Sequence, residues 1–334
     1  MRRTFHGADS RNRTVDSTTS HLSDHNPVAS VRRISMGIYI DTFITPNELR
    51  SQSFKKNLVK VQQASQYAIR AGARVAALGG FTSIVLEGSK AILSQNAPTV
   101  FTTGNTLTVA YIVKGVEEAI RLRGRKLNDC GLLIIGSTGD IGSGCTYYLA
   151  DKVKALFLCA RNSDRLQVQQ RRLCNLQVES HVTTSPAEFL PVADIVICAA
   201  SVASPAFSLR ACKTDAVICD AGYPKNIQPT LANMIGESVF FGGMGRVLGG
   251  LQCEPDLRQA CYGYPLLNIA HGCMLEGVLL ALEGRHEVFS QGRGNIKPTR
   301  VEEIWQLAQK HSFVLSPFFN QRGLWAKQPN DEEV

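Results

Sequence analysis

The sequence lacks the features that mark membrane and metal-binding proteins. No run of apolar residues reaches the roughly 18 that a transmembrane helix needs. The ten cysteines form no C-x-x-C pair and no cluster with histidine at zinc spacing, so we expect no metal site. Several of them lie within apolar runs such as LFLCA and IVICAA. In a chain this long, that pattern predicts reduced thiols and a cytoplasmic protein instead of a disulfide framework.

Charge is sparse, and it is unbalanced. Only 19% of the 334 residues are charged, and 36 Lys and Arg against 28 Asp and Glu give a formal net charge of +8. Such a balance attracts nucleic acid, anionic membranes or acidic proteins. The basic stretch 50–74, which contains Lys55, Lys56 and Lys60, lacks the aromatic interleaving of nucleic-acid platforms. We therefore predict a solvated helix face there and no nucleic-acid partner.

The length of the chain suggests more than one folded region. Residues 1–34 are polar, without the apolar core of a secretory signal, and they predict a disordered tail. We then expect an N-terminal α/β region at 35–125, a dinucleotide-binding domain at 126–244 and a C-terminal helical region at 245–325. A second short tail would occupy residues 326–334.

Between residues 131 and 243, short apolar runs alternate with polar, helix-like segments. The runs are LLIIG, ALFLCA, DIVICAA, AVICDAG and SVFFGG. Apolar runs of this length separated by helices are typical of a parallel sheet that is buried on both faces. The pattern predicts an α/β protein with a Rossmann-type doubly wound parallel sheet, flanked by an N-terminal α/β region and C-terminal helices.

Outside this sheet the periodicity predicts helices over 47–72 and between Thr102 and Gly124. The glycine-bounded apolar run ALGGFTSIVLEG at 77–88 predicts a strand with its flanking loops. After Gly243 the chain predicts helices, with Pro298 in the first turn of the last one.

A glycine-rich segment follows the first apolar run of the sheet. In LLIIGSTGDIGSG, Gly136, Gly139 and Gly142 are spaced G-x-x-G-x-x-G between a predicted strand and a predicted helix. Glycine lets the backbone approach a pyrophosphate, and the free N–H groups of a helix N-terminus bind it. The alternative is a tight strand-to-helix turn with no ligand. We predict that the whole loop binds a dinucleotide: Gly136, Ser137, Thr138, Gly139, Asp140, Ile141 and Gly142.

The end of the next strand indicates which dinucleotide binds. A site for NAD usually presents an acidic residue there to the ribose diol, whereas an arginine attracts the 2′-phosphate of NADP. The segment ARNSDRL offers Arg161 and Asn162, so we predict NADPH. Asp164 is the alternative acid, but it comes late and is expected to cap the next helix.

Two further strand ends carry candidate site residues. Ligands of doubly wound sheets lie beyond the carboxyl ends of the strands. Ala200 and Ser201 end one strand and are predicted to border the cofactor, while Tyr223 and Lys225 follow another in ICDAGYPKN. Tyr223 and Lys225 could polarise a carbonyl or hold a ribose. The alternative is a proline-containing turn whose polar tips face water.

A single cysteine, Cys273, follows a His-Gly pair in NIAHGCMLEGVLLALEG. In a helix that begins near residue 272, it lies outside the apolar stripe of Leu275, Val278, Leu279 and Leu282. In the first turn of a helix, the dipole and the free N–H groups favour a thiolate. Cys273 is therefore a candidate nucleophile, and the alternative is the usual role of a free cysteine as a small buried hydrophobe.

Several separate stretches, in the same order, resemble the aldehyde-forming fatty acyl-ACP reductases, where ACP is acyl carrier protein. They are ALGGFTSIVLEG, FTTGNTLTVAYI, GSTGDIGS, ARN, DAGYPKN, the Cys273-x-x-Glu276 pair with LLALEG, and FSQGRGNI. The resemblance runs from about Val31 to about Pro317. It departs in the N-terminal tail and over 244–272, so His271 has no counterpart whose role carries over.

The resemblance implies that NADPH binds on the central domain. It implies that Cys273 is the catalytic cysteine, acylated before the hydride arrives, and that the nearby family glutamate is Glu276. The implied reaction reduces a fatty acyl thioester of ACP or CoA to the free aldehyde, in fatty acid metabolism. Tyr223 and Lys225 could stabilise the oxyanion. The acidic carrier would dock on the basic stretch, and the apolar product implies transient contact with a membrane surface.

Two other functions fit the same residues. One is an NADP-dependent carbonyl or hydroxy-acid dehydrogenase of shikimate-dehydrogenase-like type, with Tyr223 and Lys225 as acid and base. The other is a non-catalytic NADPH-binding sensor. Replacing Cys273 by serine should abolish aldehyde formation in a thioester reductase and largely spare a dehydrogenase.

Overall fold

The fold is taken from a computed structural model that describes residues 36–42, 44, 54–87, 98–200, 207–222, 225–227, 236–252, 264–326 and 328. Ser35–Val334 forms one compact unit. The tail predicted at 1–34 lies outside the described residues, as does most of the tail predicted at 326–334. Within the described ranges, no helix combines the length and the apolar character needed to cross a membrane.

Helices and short strands alternate in the N-terminal part. They are α1 (Phe54–Arg70), β1 (Val75–Ala77), α2 (Phe81–Glu87), β2 (Val100–Thr102) and α3 (Asn105–Leu122). β1 and β2 pair in parallel. The helices predicted within 47–72 and before Gly124 are confirmed as α1 and α3.

The strand predicted over 77–88 is wrong. The strand ends at Ala77, a turn follows, and the rest of the run forms α2. Gly80 takes a positive φ of 59°, which breaks the extended chain. Phe81 and Val85, four residues apart, then bury one face of α2 against Val61 of α1.

Six parallel strands form the central sheet, so the predicted parallel sheet is confirmed. They are β3 (Gly131–Ile135), β4 (Ala155–Cys159), β5 (Ser180–Thr183), β6 (Ile195–Cys198), β7 (Val217–Asp220) and β8 (Val239–Phe241). The five predicted runs supply five of these strands, and β5 was not predicted. Helices α4 (Asp140–Leu149) and α5 (Ser163–Asn175) follow β3 and β4. The spatial order β5-β4-β3-β6-β7-β8 is that of a Rossmann domain, with the reversal of strand order between β3 and β6. Ligands of this fold bind beyond that reversal.

The C-terminal part contains strands as well as helices, so the prediction of helices alone is wrong. Its elements are β9 (Met244–Val247), β10 (Ile269–His271), α6 (Gly272–Glu283), α7 (Pro298–Lys310), β11 (Phe313–Leu315), β12 (Phe319–Asn320) and β13 (Gly323–Leu324). β9 pairs antiparallel with both β10 and β11. These strands have two to four residues, too few for an alternating pattern to be visible in the sequence.

α3 lies at the centre of the core. It is buried over most of its length and contacts α4, α6, α7 and β7. A helix that is apolar on nearly every side is suited to such a position. Its packing brings the first turns of α3, α4 and α6 to one place.

Candidate active site

The glycine loop joins β3 to α4 through close backbone contacts. Gly136 has a φ of 86°, and a Cβ added to it would lie 2.9 Å from the backbone of Ala199 and Ala200. A Cβ on Gly142 would lie 2.8 Å from the carbonyl carbon of Gly136 and would overlap its oxygen. A side chain at either position would therefore push the loop away from the ends of β3 and β6.

The loop has the donors that a pyrophosphate requires. Gly139 is the N-cap of α4, and no side chain caps this helix, so the N–H groups of its first turn keep their capacity to bind an anion. Ser137 is fully buried, and among the described residues its hydroxyl has no hydrogen-bond partner. Thr138 and Ile141 are half-buried beside it. These residues fit a dinucleotide.

Asp140 uses its carboxylate within the protein. Asn105 Nδ2 donates to Asp140 Oδ2 over 2.8 Å, and the N–H of Gly294 donates to Oδ1 over 3.3 Å. The carboxylate therefore ties the glycine loop to the start of α3 and to the turn before α7. Asp140 would therefore contact a bound cofactor through its backbone N–H and not through its side chain.

Beyond β4, the two residues predicted to select NADPH differ in role. Arg161 is exposed. Asn162 is the N-cap of α5, where its Oδ1 accepts the N–H of Arg165 over 2.8 Å. The expectation that Asp164 caps this helix is wrong, because Asp164 lies within the first turn.

The loop after β7 is built around a buried carboxylate. Asp220 is fully buried and accepts the N–H groups of Gly222 over 3.1 Å, Asn226 over 2.8 Å and Ile227 over 3.0 Å. Asn226 Nδ2 donates to the carbonyl of Ala200 over 3.1 Å. The loop is thereby attached to the end of β6, next to the glycine loop.

Lys225 lies in this loop, while Tyr223 and Ser201 lie outside the described residues. Lys225 Nζ donates to the carbonyl of Asp220 over 3.0 Å and lies 4.7 Å from the centroid of the Phe241 ring. Burial lowers the pKa of Lys225. Burial, together with the charge of Lys225, also lowers the pKa of His271 to about 3. His271 is therefore neutral at physiological pH.

Cys273 lies in the first turn of α6, as predicted. It is half-buried. Burial raises the pKa of its thiol, although the N–H groups of Gly80 and Met274 hydrogen-bond the sulfur and act in the opposite direction. Desolvation therefore outweighs the donors of the helix start in setting the pKa of this thiol.

Glu276, one turn further along α6, is fully buried and holds the start of α3. Its Oε1 accepts the hydroxyl of Thr102 over 2.6 Å, and its Oε2 accepts the N–H of Leu107 over 2.9 Å. The N–H of Thr106 also hydrogen-bonds this carboxylate. Burial raises the pKa of Glu276 to about 7. Its side chain caps a neighbouring helix that has only Gly104 as its own N-cap.

Cys273 and the glycine loop are joined by a short series of contacts. A Cβ on Gly104 would lie 2.5 Å from Cα of Cys273, so these backbones touch. The next residue, Asn105, hydrogen-bonds Asp140. The N-termini of α3, α4 and α6 thus meet, each with the positive end of its dipole. This arrangement can stabilise negative charge next to a thiol and a dinucleotide loop.

Comparison with known proteins identifies the family. The chain is 33% identical over 296 residues to a long-chain acyl-[acyl-carrier-protein] reductase of Synechococcus elongatus, over 84% of this chain and 83% of that protein. The chain belongs to this family of oxidoreductases. It is also 27% identical over 266 residues to the aminotransferase PigE of a Serratia species, over 77% of this chain and 30% of that protein. No protein-family model matches the chain.

Solved structures resemble the reductase only distantly. The nucleotide-binding domain of glutamyl-tRNA reductase from Thermoplasma volcanium is 21% identical with a TM-score of 0.29, over 38% of this chain and 83% of that one. The A chain of dipicolinate synthase from Bacillus subtilis is 15% identical with a TM-score of 0.34, over 54% of this chain and 60% of that one. The Rossmann fold of the central domain follows from the strand order of its sheet.

Sequence reasoning missed the residues that hold this reductase site together. Asp220 and Asn226 organise the loop of Lys225, and Gly104 and Asn105 connect Cys273 to the glycine loop. For Asp220 and Asn226 a local signal was visible, because an acid at the end of β7 is followed by a glycine and later by an asparagine. The second pair had no local signal, since its partners lie far away in the sequence.

Proposed function

We propose that the chain is an NADPH-dependent reductase that converts a carrier-bound fatty acyl thioester to the fatty aldehyde through an acyl group on Cys273. The observation that carries this proposal is the contact series from Cys273 through Gly104 and Asn105 to Asp140 of the glycine loop. It brings the thiol of the half-buried Cys273 next to residues that fit a dinucleotide. Membership of the acyl-ACP reductase family supports the substrate class.

Acyl transfer to Cys273 is the first step. The sulfur of Cys273 attacks the thioester carbonyl, the carrier thiolate leaves, and it takes up the proton that the cysteine loses. One thioester replaces another, so the exchange is nearly neutral in free energy, and the carrier is free to depart. The raised pKa of Cys273 makes proton loss part of the reaction, and the N–H groups of Gly80 and Met274 favour the anionic sulfur.

NADPH, when bound, supplies the hydride that reduces the acyl group on Cys273. The resulting thiohemiacetal anion collapses to the aldehyde, and the thiolate of Cys273 leaves and is reprotonated. The converging helix N-termini stabilise negative charge on the oxygen and on the sulfur during these steps. Lys225 and Tyr223 are the side chains that we propose for the oxyanion, with Lys225 positioned by Asp220.

The proposed cofactor contacts come mainly from the backbone. The loop 136–142 would hold the pyrophosphate, and Ala200 and Ser201 would border it at the end of β6. Asp140 and Asn162 would contribute only main-chain groups, because their side chains are engaged with Asn105 and the first turn of α5. The exposed Arg161 favours binding of a 2′-phosphate, and this supports NADPH as the cofactor.

We propose that the carrier approaches the N-terminal region, residues 35–125. Lys55 and Lys56 are exposed on α1, whose first turn contains no acidic residue. Complementary charge mainly accelerates the encounter with an acidic carrier. Acyl-ACP should accordingly lose more of its rate at high salt than acyl-CoA does.

Mass spectrometry without NADPH tests the acyl-cysteine. Mixing the protein with a long-chain acyl-ACP or acyl-CoA should add one acyl group to the peptide that contains Cys273. Cys273→Ser should remove the adduct and aldehyde formation, whereas Cys174→Ser, an exposed thiol on α5, should leave both unchanged. No adduct over a range of chain lengths would refute the proposal. NADP-dependent turnover of a hydroxy acid by Cys273→Ser would favour the dehydrogenase.

A further inference from the structure

A turn of two glycines crosses the start of α6 and covers the sulfur of Cys273. A Cβ added to Gly79 would lie 3.1 Å from Sγ of Cys273 and 3.9 Å from its Cβ. The next residue, Gly80, is exposed and has a φ of 59°. Its N–H hydrogen-bonds the sulfur. The turn therefore both limits the space around the sulfur and supplies a donor to it.

The turn is held firmly from both sides. Leu78, at the end of β1, donates its N–H to the carbonyl of Thr102 over 2.8 Å. Thr82 Oγ1 donates to the carbonyl of Gly79 over 2.6 Å, and Ser83 Oγ donates to the carbonyl of Gly80 over 3.1 Å. Because both carbonyls are occupied by side chains of α2, the turn has a defined orientation over the thiol.

β1 and α6 are also in close contact below the turn. A Cβ added to Gly277 of α6 would lie 3.1 Å from Cβ of Ala77. The strand therefore runs against the helix and delivers the turn to the first residues of α6. The position of the turn relative to Cys273 is set by this packing and not by the loop alone.

We propose that Gly79 and Gly80 are active-site residues for acyl transfer. Gly79 positions the nucleophile by leaving room for its sulfur, and the N–H of Gly80 donates to that sulfur as it becomes anionic. This role rests on the proposed acyl-cysteine and extends it to a backbone element. Charge-assisted hydrogen bonds are the strong ones, and a backbone donor fixed before reaction requires no rearrangement.

Substitutions can test the two glycines separately. Gly79→Ala places a methyl group 3.1 Å from the sulfur without a positive φ at that residue, so the sulfur must shift. Gly80→Ala disfavours the left-handed conformation that aims the N–H at the sulfur. Gly115→Ala, whose Cβ would lie 3.2 Å from the ring of Phe240, is the control for a close approach away from Cys273. Gly72→Ala, at a φ of 74° in open space, is the control for left-handed strain.

The measurement is the rate at which iodoacetamide alkylates Cys273, followed by peptide mass spectrometry from pH 6 to 10, alongside the rate of acyl-adduct formation. We expect Gly80→Ala to slow acylation by about tenfold or more, the effect of losing one charge-assisted hydrogen bond. We expect Gly79→Ala to slow acylation as well, because its methyl group displaces the sulfur. We expect the alkylation profile of Gly80→Ala to move to higher pH. Both controls should stay within about twofold of the parent.

Two outcomes would overturn this inference. One is a parent-like alkylation profile and acylation rate in both glycine variants. The other is equal slowing in the controls. Tryptophan fluorescence identifies a variant that fails to fold. If one glycine variant does so, the acylation rate and alkylation profile of the other variant test the inference. If the parent chain forms no acyl adduct, the proposed function fails, whereas the alkylation profiles still test the donor from Gly80.

Discussion

Replacing Glu276 by glutamine should change how the stability of the protein depends on pH. Glu276 is fully buried, and its pKa is raised by burial from 4.5 to about 7. Between these two values the folded chain keeps a proton that the unfolded chain has released. The free energy of unfolding therefore falls as the pH rises from 4.5 to 7, and this contribution is lost above pH 7.

The size of the effect follows from the two pKa values. Linkage between a folded pKa of about 7 and an unfolded pKa of 4.5 gives about 2 to 3 kcal/mol between pH 5 and pH 8. Glutamine does not titrate, so it lacks this dependence. It also brings an amide donor close to the N–H groups of Thr106 and Leu107, which costs about 1–3 kcal/mol at every pH. The stability advantage of the parent over Glu276→Gln should therefore be greatest at pH 5.

Urea unfolding at several pH values from 5 to 8 measures this difference. Fluorescence of Trp305 and Trp325 reports the transition, since Trp325 is buried against Phe240 and Phe318. His271, with its lowered pKa, acts in the opposite direction below pH 6.5, but it is present in both chains and cancels in the difference. A difference that stays constant from pH 5 to pH 8 would refute a carboxyl with a raised pKa at this position.

Two further substitutions address the cofactor and the loop after β7. Arg161→Asp should raise the Kd for NADPH roughly tenfold or more and leave the Kd for NADH unchanged, since it replaces attraction of a 2′-phosphate by repulsion. Fluorescence titration measures both constants, with Arg171→Asp, on the exposed side of α5, as the control. The same effect in that control would contradict the prediction. Asp220→Asn should lower the free energy of unfolding by about 3 kcal/mol, because amide hydrogens then face backbone N–H groups. Asp215, whose side chain is exposed, provides the control variant Asp215→Asn in urea unfolding. Equal stability of the two variants would count against a stabilising role for the hydrogen bonds of the buried Asp220 carboxylate.

Most of the central sheet and its glycine-rich loop were predictable because their signals are local. Five of the six strands are short apolar runs, whereas β5 is mostly polar and gave no such signal. The glycine spacing that allows Gly136 and Gly142 to lie close together is contained within a few residues. The position of Cys273 in the first turn of α6 was predictable for the same reason. The strand expected at 77–88 failed because apolar content alone does not distinguish a strand from a short buried helix.

The roles of individual side chains in the site depended on distant partners. Asp140 and Asn162 both belong to the predicted cofactor site. The carboxylate of Asp140, however, binds Asn105, and the side chain of Asn162 caps α5. Glu276 is paired with Thr102, which is 174 residues away in the sequence. No local pattern specifies such a pairing, because it results from how α6 packs against α3.

By itself, the sequence determined an α/β chain with a parallel sheet, a glycine-rich strand-to-helix loop and a cysteine at a helix start. These features follow from periodicity and from residues that are neighbours along the chain. Only the tertiary structure decided that the pKa of the Cys273 thiol is raised beneath the turn of Gly79 and Gly80, because burial outweighs the helix start. Desolvation depends on everything packed around a group, and that is known only once the chain has folded.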